Sequence, residues 1–117
     1  MVTGIGVDIE KVKRFEKLTM KDDQKFLELI FTKKELDYCL KKEMPGQHLA
    51  GKYAGKEAII KALNSIGIIV PVYTKMEILN DKKGIPRAKL YKDIIIEIKV
   101  SIAHNDDYAI AFATVEK

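Results

Sequence analysis

A single uninterrupted segment, Gln47 to Asn64, most constrains the fold of this chain. It is rich in alanine and leucine and contains no proline, which favours one long helix. Met44-Pro45-Gly46 comes directly before it and predicts a break from anything helical upstream. Because 117 residues are enough for one hydrophobic core and too few for two, we expect this helix to be central to a single domain, residues 1–117.

Shorter elements are predicted before the central helix. Residues 2–9 alternate in the manner of a strand. Apolar residues then recur at helical spacing from Glu10 to Leu18, between lysines and an arginine, which predicts a short basic helix. Thr32-Lys33-Lys34-Glu35 has the spacing of a capping box, so a further helix is expected to begin at Lys33.

Extended segments are predicted after the central helix, beyond a loop from Ser65 to Lys75. They form two candidate hairpins: Met76–Asn80 with Ile85–Tyr91 around Asp81–Gly84, and Ile94–His104 with Tyr108–Val115 around Asn105–Asp107. Helices and mostly antiparallel strands in one domain predict the α+β class, with the sheet packed against the central helix.

The charge balance favours an anionic partner. The chain has 21 lysines and arginines against 17 acidic residues, a formal net charge of +4. This balance leaves nucleic acid, a nucleotide and an acidic protein all open as partners. The hydrophobic content of 47% is that of an ordinary globular protein and excludes a disordered chain.

Cys39 is the only cysteine in the sequence. An internal disulfide is therefore excluded, and the absence of a Cys/His cluster excludes a zinc site of the usual kind. The N-terminal residues lack the pattern of a signal peptide, and no apolar run is long enough to span a bilayer. We expect a cytoplasmic protein.

Glu57 is the most unusual residue of the central helix because it lies inside the apolar stripe. Tyr53, Ala54 and Ile60 are its neighbours on the helical wheel, and Lys61 follows one turn later on the same side. An ionised side chain in such a stripe is costly unless it is paired or binds a metal. The sequence leaves two interpretations open, a Glu57–Lys61 ion pair and a functional site.

Asp8 is the second unusual residue, an acid at the end of an otherwise apolar strand. Gly4 and Gly6 precede it on its own face of the strand and leave space there. Such space admits a ligand, or it marks a bulge or a closely packed helix. Gly4-Ile5-Gly6 lacks the third glycine of a dinucleotide-binding fingerprint, where Ile9 stands, so a Rossmann site is excluded.

His104 is the third candidate, at the end of the strand that begins at Ile94. A histidine at the start of an Asn-Asp-Asp turn is typical of a structural hydrogen-bonding residue as well as of a binding residue. Ser101 is expected on the opposite face of the strand, so a serine–histidine catalytic couple is not expected.

These three residues lie in segments that together resemble one enzyme family. The segments are Gly4–Ile9 with Arg14-Phe15, Phe31–Leu36, Leu49–Ala58 with Lys61–Leu63, Glu77–Asp81 with Gly84 and Pro86, and Val100–His104 with Tyr108-Ala109. In this order, from residue 4 to about 115, they resemble holo-(acyl-carrier-protein) synthase, a 4′-phosphopantetheinyl transferase. The resemblance implies the α+β fold of that family.

The resemblance also implies a reaction. A 4′-phosphopantetheine group would pass from coenzyme A to a serine of apo-acyl carrier protein, releasing adenosine 3′,5′-bisphosphate and giving the holo carrier for fatty acid synthesis. Asp8 and Glu57 would hold Mg²⁺, which takes oxygen ligands and keeps several waters. Lys61 would share the charge on the diphosphate or protonate the leaving group. Water on the metal, Asp8 and Glu57 stay open as the base.

Further residues are assigned by the same resemblance. His104 and Lys52 would bind coenzyme A together with Lys61, and Arg14 would meet the acidic carrier protein. The family implies a homotrimer with sites between subunits, and neither a nucleic-acid nor a membrane partner. The chain departs from the family at Ile60, where a small residue is expected, and at Lys52, where the family usually has an arginine. The lysine ammonium is a point charge and cannot bind a phosphate in the bidentate way of a guanidinium.

Two other functions account for part of the sequence. A non-catalytic basic module that binds nucleic acid or an acidic protein would explain the charge, but it should interleave lysines with exposed aromatic residues. Another Mg²⁺ enzyme of nucleotides, such as a pyrophosphatase, should act without a carrier protein.

Overall fold

An antiparallel sheet lies against one long helix in the computed structural model, which describes residues 3–70 and 72–117. The elements in chain order are β1 (Thr3–Lys11), α1 (Lys13–Glu16), α2 (Met20–Ile30), α3 (Lys33–Leu40), α4 (Pro45–Ser65), β2 (Met76–Asn80), β3 (Pro86–Leu90), β4 (Glu97–His104) and β5 (Tyr108–Glu116). A short 3₁₀ turn, Tyr73–Lys75, leads into β2. The predicted α+β class is confirmed.

The strands form two separate sheets. β5 lies between β1 and β4 and pairs antiparallel with both, while β2 and β3 form a hairpin of their own. Both predicted hairpins are confirmed, although β4 begins at Glu97 rather than at Ile94. The turn between β2 and β3 includes Gly84 at a φ of +82°, a backbone angle that favours glycine.

Helix α3 begins at the residue predicted from its capping signal, and the central helix α4 begins two residues earlier than predicted. Pro45 occupies the first turn of α4, where its missing N–H costs nothing, so the predicted break is the start of the helix. At α3 the Thr32 hydroxyl accepts from the Glu35 N–H at 3.3 Å, and the Glu35 carboxylate accepts from the Thr32 N–H at 2.8 Å. The capping box and the start at Lys33 are confirmed. Within residues 3–70 and 72–117, none of the helices combines the length and hydropathy needed to cross a membrane.

The first strand is longer, and the first helix shorter, than predicted. β1 runs to Lys11 because its ladder with β5 continues as far as the pair Lys11–Tyr108. Only one turn of helix, Lys13–Glu16, follows. The prediction of a helix from Glu10 is therefore wrong at its start, and Glu10 is a strand residue on the same face as Asp8. Val2 of the predicted strand and Pro71 of the predicted loop lie outside the described residues.

Gly4 and Gly6 allow the backbone of α4 to lie directly on β1. A β-carbon at Gly6 would collide with the carbonyl oxygen of Ala58, and one at Gly4 with the carbonyl oxygen of Ala62. The space predicted beside the strand is therefore filled by the helix. The sequence left three explanations open for these glycines, a ligand, a bulge and a closely packed helix, and the structure supports the closely packed helix.

Replacing Gly6 with alanine should destabilise the fold by about 1–3 kcal/mol, because the helix backbone must move to admit the methyl group. The midpoint of urea unfolding measures the loss. Thr3→Ala, on the exposed side of the same strand, should change the free energy of unfolding by less than about 0.5 kcal/mol. Equal midpoints for the two variants would contradict the packing described here.

Candidate active site

Asp8 lies on the face of β1 that contacts α4. The Lys61 ammonium, from the helix, donates to Asp8 Oδ1 at 3.3 Å and to the Val7 carbonyl oxygen at 3.0 Å. Asp8 Oδ2 is buried and has no hydrogen-bond partner among the described residues. Because an unpaired buried acceptor costs about 1–3 kcal/mol, this oxygen is a place where a cation or a donor would be stabilised.

Glu57 is half-buried on α4 and is held from the opposite side of the site. The hydroxyl of Tyr73, in the turn before β2, donates to Glu57 Oε1 at 2.6 Å. Burial, and then this hydrogen bond, raise the pKa of Tyr73, so its hydroxyl stays protonated. Lys61 pairs with Asp8 rather than with Glu57. The Glu57–Lys61 ion pair, which the sequence left open, is therefore absent between these two residues, and Lys61 of the helix binds Asp8 of the strand instead.

Glu10 completes a group of acidic side chains that we call the carboxylate cluster: Asp8, Glu10 and Glu57. Burial raises the pKa of Glu10 to about 7; the neighbouring Asp8 carboxylate and, more weakly, Glu57 add to the rise, while Arg14 opposes it. Glu10 therefore lies close enough to Asp8 and to Glu57 for its charge to be repelled by both. The sequence analysis missed Glu10 because it placed this residue in a helix, whereas strand alternation would have put it beside Asp8.

The cluster fits a hard divalent cation. Carboxylate oxygens are the ligands that Mg²⁺ prefers, and a cation would offset the repulsion at Glu10 and give Asp8 Oδ2 the partner that it lacks among the described residues. In the part of the chain that the structure describes, no group of three or more His, Cys, Asp or Glu side chains is placed to hold a metal by itself. A cation bound to Asp8 and Glu57 would accordingly take its remaining ligands from water and from a bound substrate.

Lys52 and His104 lie together in a pocket of about 250 Å³ between α4, the β2–β3 hairpin and the end of β4. The buried Lys52 ammonium donates to the Ile78 carbonyl oxygen at 2.7 Å and to Asn80 Oδ1 at 2.8 Å. The ring of His104 lies 5.2 Å from that of His48, a residue that the sequence analysis did not select. Lysine and two imidazoles give this pocket the chemistry of an anion site.

This anion pocket is distinct from the carboxylate cluster. Lys52 and Lys61 are nine residues apart on α4, which places them about 13 Å apart along the helix axis. The structure thus pairs Asp8 with Lys61, places Glu57 one helical turn before Lys61 and near Glu10, and sets Lys52 and His104 at a second place along the same helix. Only an extended substrate could reach both.

Arg14 borders the carboxylate cluster on its other side. Its guanidinium donates to Glu10 Oε1 at 3.3 Å and lies 5.3 Å from the centre of the Tyr53 ring. It shares an open groove with neighbouring side chains that are mostly basic: Ile9, Glu10, Lys11, Lys13 and Lys17. This basic groove has the charge to meet an acidic partner at the edge of the cluster.

Known proteins with similar sequences point to one family. A model of the 4′-phosphopantetheinyl transferase superfamily matches residues 4–113. Holo-(acyl-carrier-protein) synthases from Clostridium tetani and Protochlamydia amoebophila are 38% and 42% identical to this chain, over 99% and 97% of its length and 97% of theirs.

Solved structures with a similar fold agree. The Chronobacterium ammoniagenes ACPS-CoA complex superposes with a TM-score of 0.81 at 26% identity, covering 98% of this chain and 97% of that one. The Helicobacter pylori holo-(acyl-carrier-protein) synthase in complex with coenzyme A gives 0.78 at 28% identity, covering 96% and 99%. The fold and the resemblance predicted from the sequence are confirmed, and the chain belongs to the 4′-phosphopantetheinyl transferase superfamily.

Proposed function

We propose that this protein transfers 4′-phosphopantetheine from coenzyme A to a serine of apo-acyl carrier protein, with Mg²⁺ as its cofactor. The reaction releases adenosine 3′,5′-bisphosphate and gives holo-acyl carrier protein for fatty acid synthesis. One observation carries the proposal: Asp8 offers a buried carboxylate oxygen, without a partner among the described residues, in a cluster that includes Glu57. The names of the relatives and the coenzyme A complexes of similar structures support this choice of substrates.

Asp8 and Glu57 are the residues that would hold the metal. Bound there, Mg²⁺ would bind the diphosphate of coenzyme A and offset the charge that develops on it during transfer. Each carboxylate has one oxygen engaged by a donor of this chain, Lys61 at Asp8 and Tyr73 at Glu57. The other oxygen of each is the one assigned to the cation.

Lys61 would act on the leaving group. Its side chain is 55% exposed beyond its contact with Asp8, so the ammonium can also reach a phosphate oxygen at this place. As the serine oxygen bonds to the β-phosphorus, the bond to the departing bisphosphate breaks, and an ammonium beside it stabilises the charge or supplies a proton. Asp8 and Glu57 are the carboxylates that can accept the serine proton.

The anion pocket would hold the phosphates at the nucleotide end of coenzyme A. Burial lowers the pKa of Lys52, and a bound phosphate would favour its charged form. Two of its three donors are already used by Ile78 and Asn80, so Lys52 would give one direct contact. His104 at the rim of the pocket would give a second.

An exposed apolar face supports the homotrimer expected from the family. On β1 the side chains of Ile5, Val7 and Ile9 are 52–62% exposed, and Ile110 and Phe112 on the paired strand are 45% and 48% exposed. Such a contiguous patch on a folded chain is typical of a surface that another subunit covers. The single cysteine, Cys39, is buried and free, which suits the cytoplasmic location that we propose.

The test incubates the protein with apo-acyl carrier protein, coenzyme A and Mg²⁺ and follows the mass of the carrier. We expect one phosphopantetheine group per carrier, and none when the metal is removed with a chelator. An unmodified carrier would overturn the proposal. Salt-dependent binding of RNA or DNA without any transfer would favour the basic module, and cleavage of coenzyme A in the absence of carrier would favour the pyrophosphatase.

Arg14→Ala should raise the apparent KM for the carrier protein about tenfold, equivalent to about 1.4 kcal/mol, because it removes the central charge of the basic groove. The KM for coenzyme A should stay near the wild-type value. Steady-state kinetics at several salt concentrations measure both constants, and the salt dependence of carrier association should weaken in the variant.

Lys99→Ala provides a matched control for Arg14→Ala. Lys99 is an exposed cation on β4, and its ammonium lies 3.7 Å from the Glu97 carboxylate. Its loss should leave the KM for the carrier unchanged. An equal effect of the two variants would show that net charge, rather than the basic groove, recruits the carrier.

A further inference from the structure

Tyr73 reaches the carboxylate cluster from a part of the chain that is not otherwise involved in it. The residue lies in the 3₁₀ turn between α4 and β2, and its hydroxyl donates to Glu57 Oε1 at 2.6 Å. A distance this short, with a carboxylate as acceptor, is typical of a charge-assisted hydrogen bond, which is about twice as strong as a neutral one.

The position of Tyr73 is fixed by its surroundings rather than by this bond alone. Its carbonyl oxygen accepts a hydrogen bond from the buried Lys56 ammonium at 3.2 Å. Its ring packs against Tyr53, with the ring centres 5.7 Å apart, and Tyr53 packs in turn against the buried Phe15. The hydroxyl is therefore presented to Glu57 by an anchored backbone and a packed ring.

The bond determines which oxygen of Glu57 is available. With Oε1 engaged by the phenol, Oε2 is the oxygen that remains for a cation. Asp8 has the same arrangement, because Lys61 engages Oδ1 and leaves Oδ2 unpartnered among the described residues. A phenol adds no positive charge to the cluster, so it can orient the carboxylate without weakening its attraction for a metal ion.

We infer that Tyr73 is a positioning residue that holds the Glu57 carboxylate in the orientation in which it binds the divalent cation. The inference rests on the proposed function, since it assigns Glu57 to the metal. Hydrogen bonds to metal ligands typically change metal affinity by about 10–100-fold when they are removed. Tyr73→Phe removes only the hydroxyl and keeps the ring that packs on Tyr53.

The experiment measures Mn²⁺ binding to the wild-type protein and its variants in the presence of coenzyme A, by the loss of the free-ion electron paramagnetic resonance signal. Tyr73→Phe should raise the Mn²⁺ dissociation constant about 10–100-fold. The Mg²⁺ concentration for half-maximal transfer should rise by the same factor, while kcat at saturating Mg²⁺ stays near the wild-type value. The matched control is Tyr91→Phe, which removes a different tyrosine–glutamate bond, the 3.0 Å contact to Glu77 Oε1.

The outcomes separate this inference from the proposed function. Weaker Mn²⁺ binding in Tyr73→Phe, with wild-type binding in Tyr91→Phe, supports it. Wild-type affinity in Tyr73→Phe overturns it, as does an equal loss in both tyrosine variants, which would indicate general loosening of the fold. If Asp8→Asn also binds Mn²⁺ as the wild type does, the metal assignment itself fails, and the inference fails with it.

Discussion

Asp8→Ala and Glu57→Ala should each reduce the rate of phosphopantetheine transfer by about 10²–10³-fold or more, while the protein remains folded. Each variant removes one of the two carboxylates assigned to Mg²⁺, so the charge on the diphosphate is no longer offset. Stability should change little in Asp8→Ala, because the loss of the partly exposed ion pair with Lys61 is offset by removal of a buried oxygen that has no partner among the described residues. Carrier mass measures the rate, and the urea midpoint measures the fold.

The control for these variants is Glu97→Ala, which removes an exposed carboxylate from β4. It should transfer at the wild-type rate, because Glu97 is remote in sequence from the cluster and does not contribute to the raised pKa of Glu10. Asp8→Asn tests the charge at constant shape and should lose nearly as much activity as Asp8→Ala. A wild-type rate in Asp8→Ala or in Glu57→Ala would remove that residue from the metal site.

Lys56→Met should lower the free energy of unfolding by about 3–5 kcal/mol, the usual cost of removing one partner of a buried ion pair. The Lys56 ammonium lies 2.7 Å from Glu35 Oε1, and both side chains are fully buried. It also donates to the Ile30 carbonyl oxygen at 2.6 Å. Since a domain of this size is stable by only about 5–15 kcal/mol, the variant should lose a large share of its stability.

Urea unfolding of Lys56→Met is compared with that of Lys99→Met, in which the lost pair is exposed. An exposed pair is worth about 0–1 kcal/mol, so Lys99→Met should be nearly as stable as the wild type. Glu35→Gln should be destabilised in the same way as Lys56→Met, because it leaves the ammonium without its counter-charge. If Lys56→Met had the wild-type midpoint, the buried pair would not be a main source of stability.

Local signals in the sequence were enough to predict most of the fold. The capping box at Thr32 and the turn at Gly84 each depend on a few neighbouring residues, and each lies where it was expected, while the central helix begins at Pro45, two residues before its predicted start. The predicted end of β1 was wrong because the residues from Glu10 onward also fit a helical period. Its ladder with β5, a contact between distant segments, determines where the strand ends.

The site was harder to predict where it depends on tertiary contacts. Glu57 and Asp8 were visible because each is an acid at an apolar position, but nothing local shows that Tyr73 lies against Glu57. From the sequence, Lys56 cannot be distinguished from an exposed helix lysine, and Glu35 is recognised only as a capping residue. Glu35 has a second role, because its Oε2 accepts from the Ile78 N–H at 2.7 Å while its Oε1 faces Lys56.

The pairing of β1 with β5 has a consequence for the newly made protein. β1 has no sheet neighbour in the described residues other than β5, and Asp8 lies directly opposite Ala111 in that ladder. During synthesis, Asp8, Glu57 and Lys61 would therefore have left the ribosome well before β5, the strand that anchors Asp8, has been made. Because pairing between such distant segments is slow, competence for catalysis should be among the last properties that the nascent polypeptide acquires.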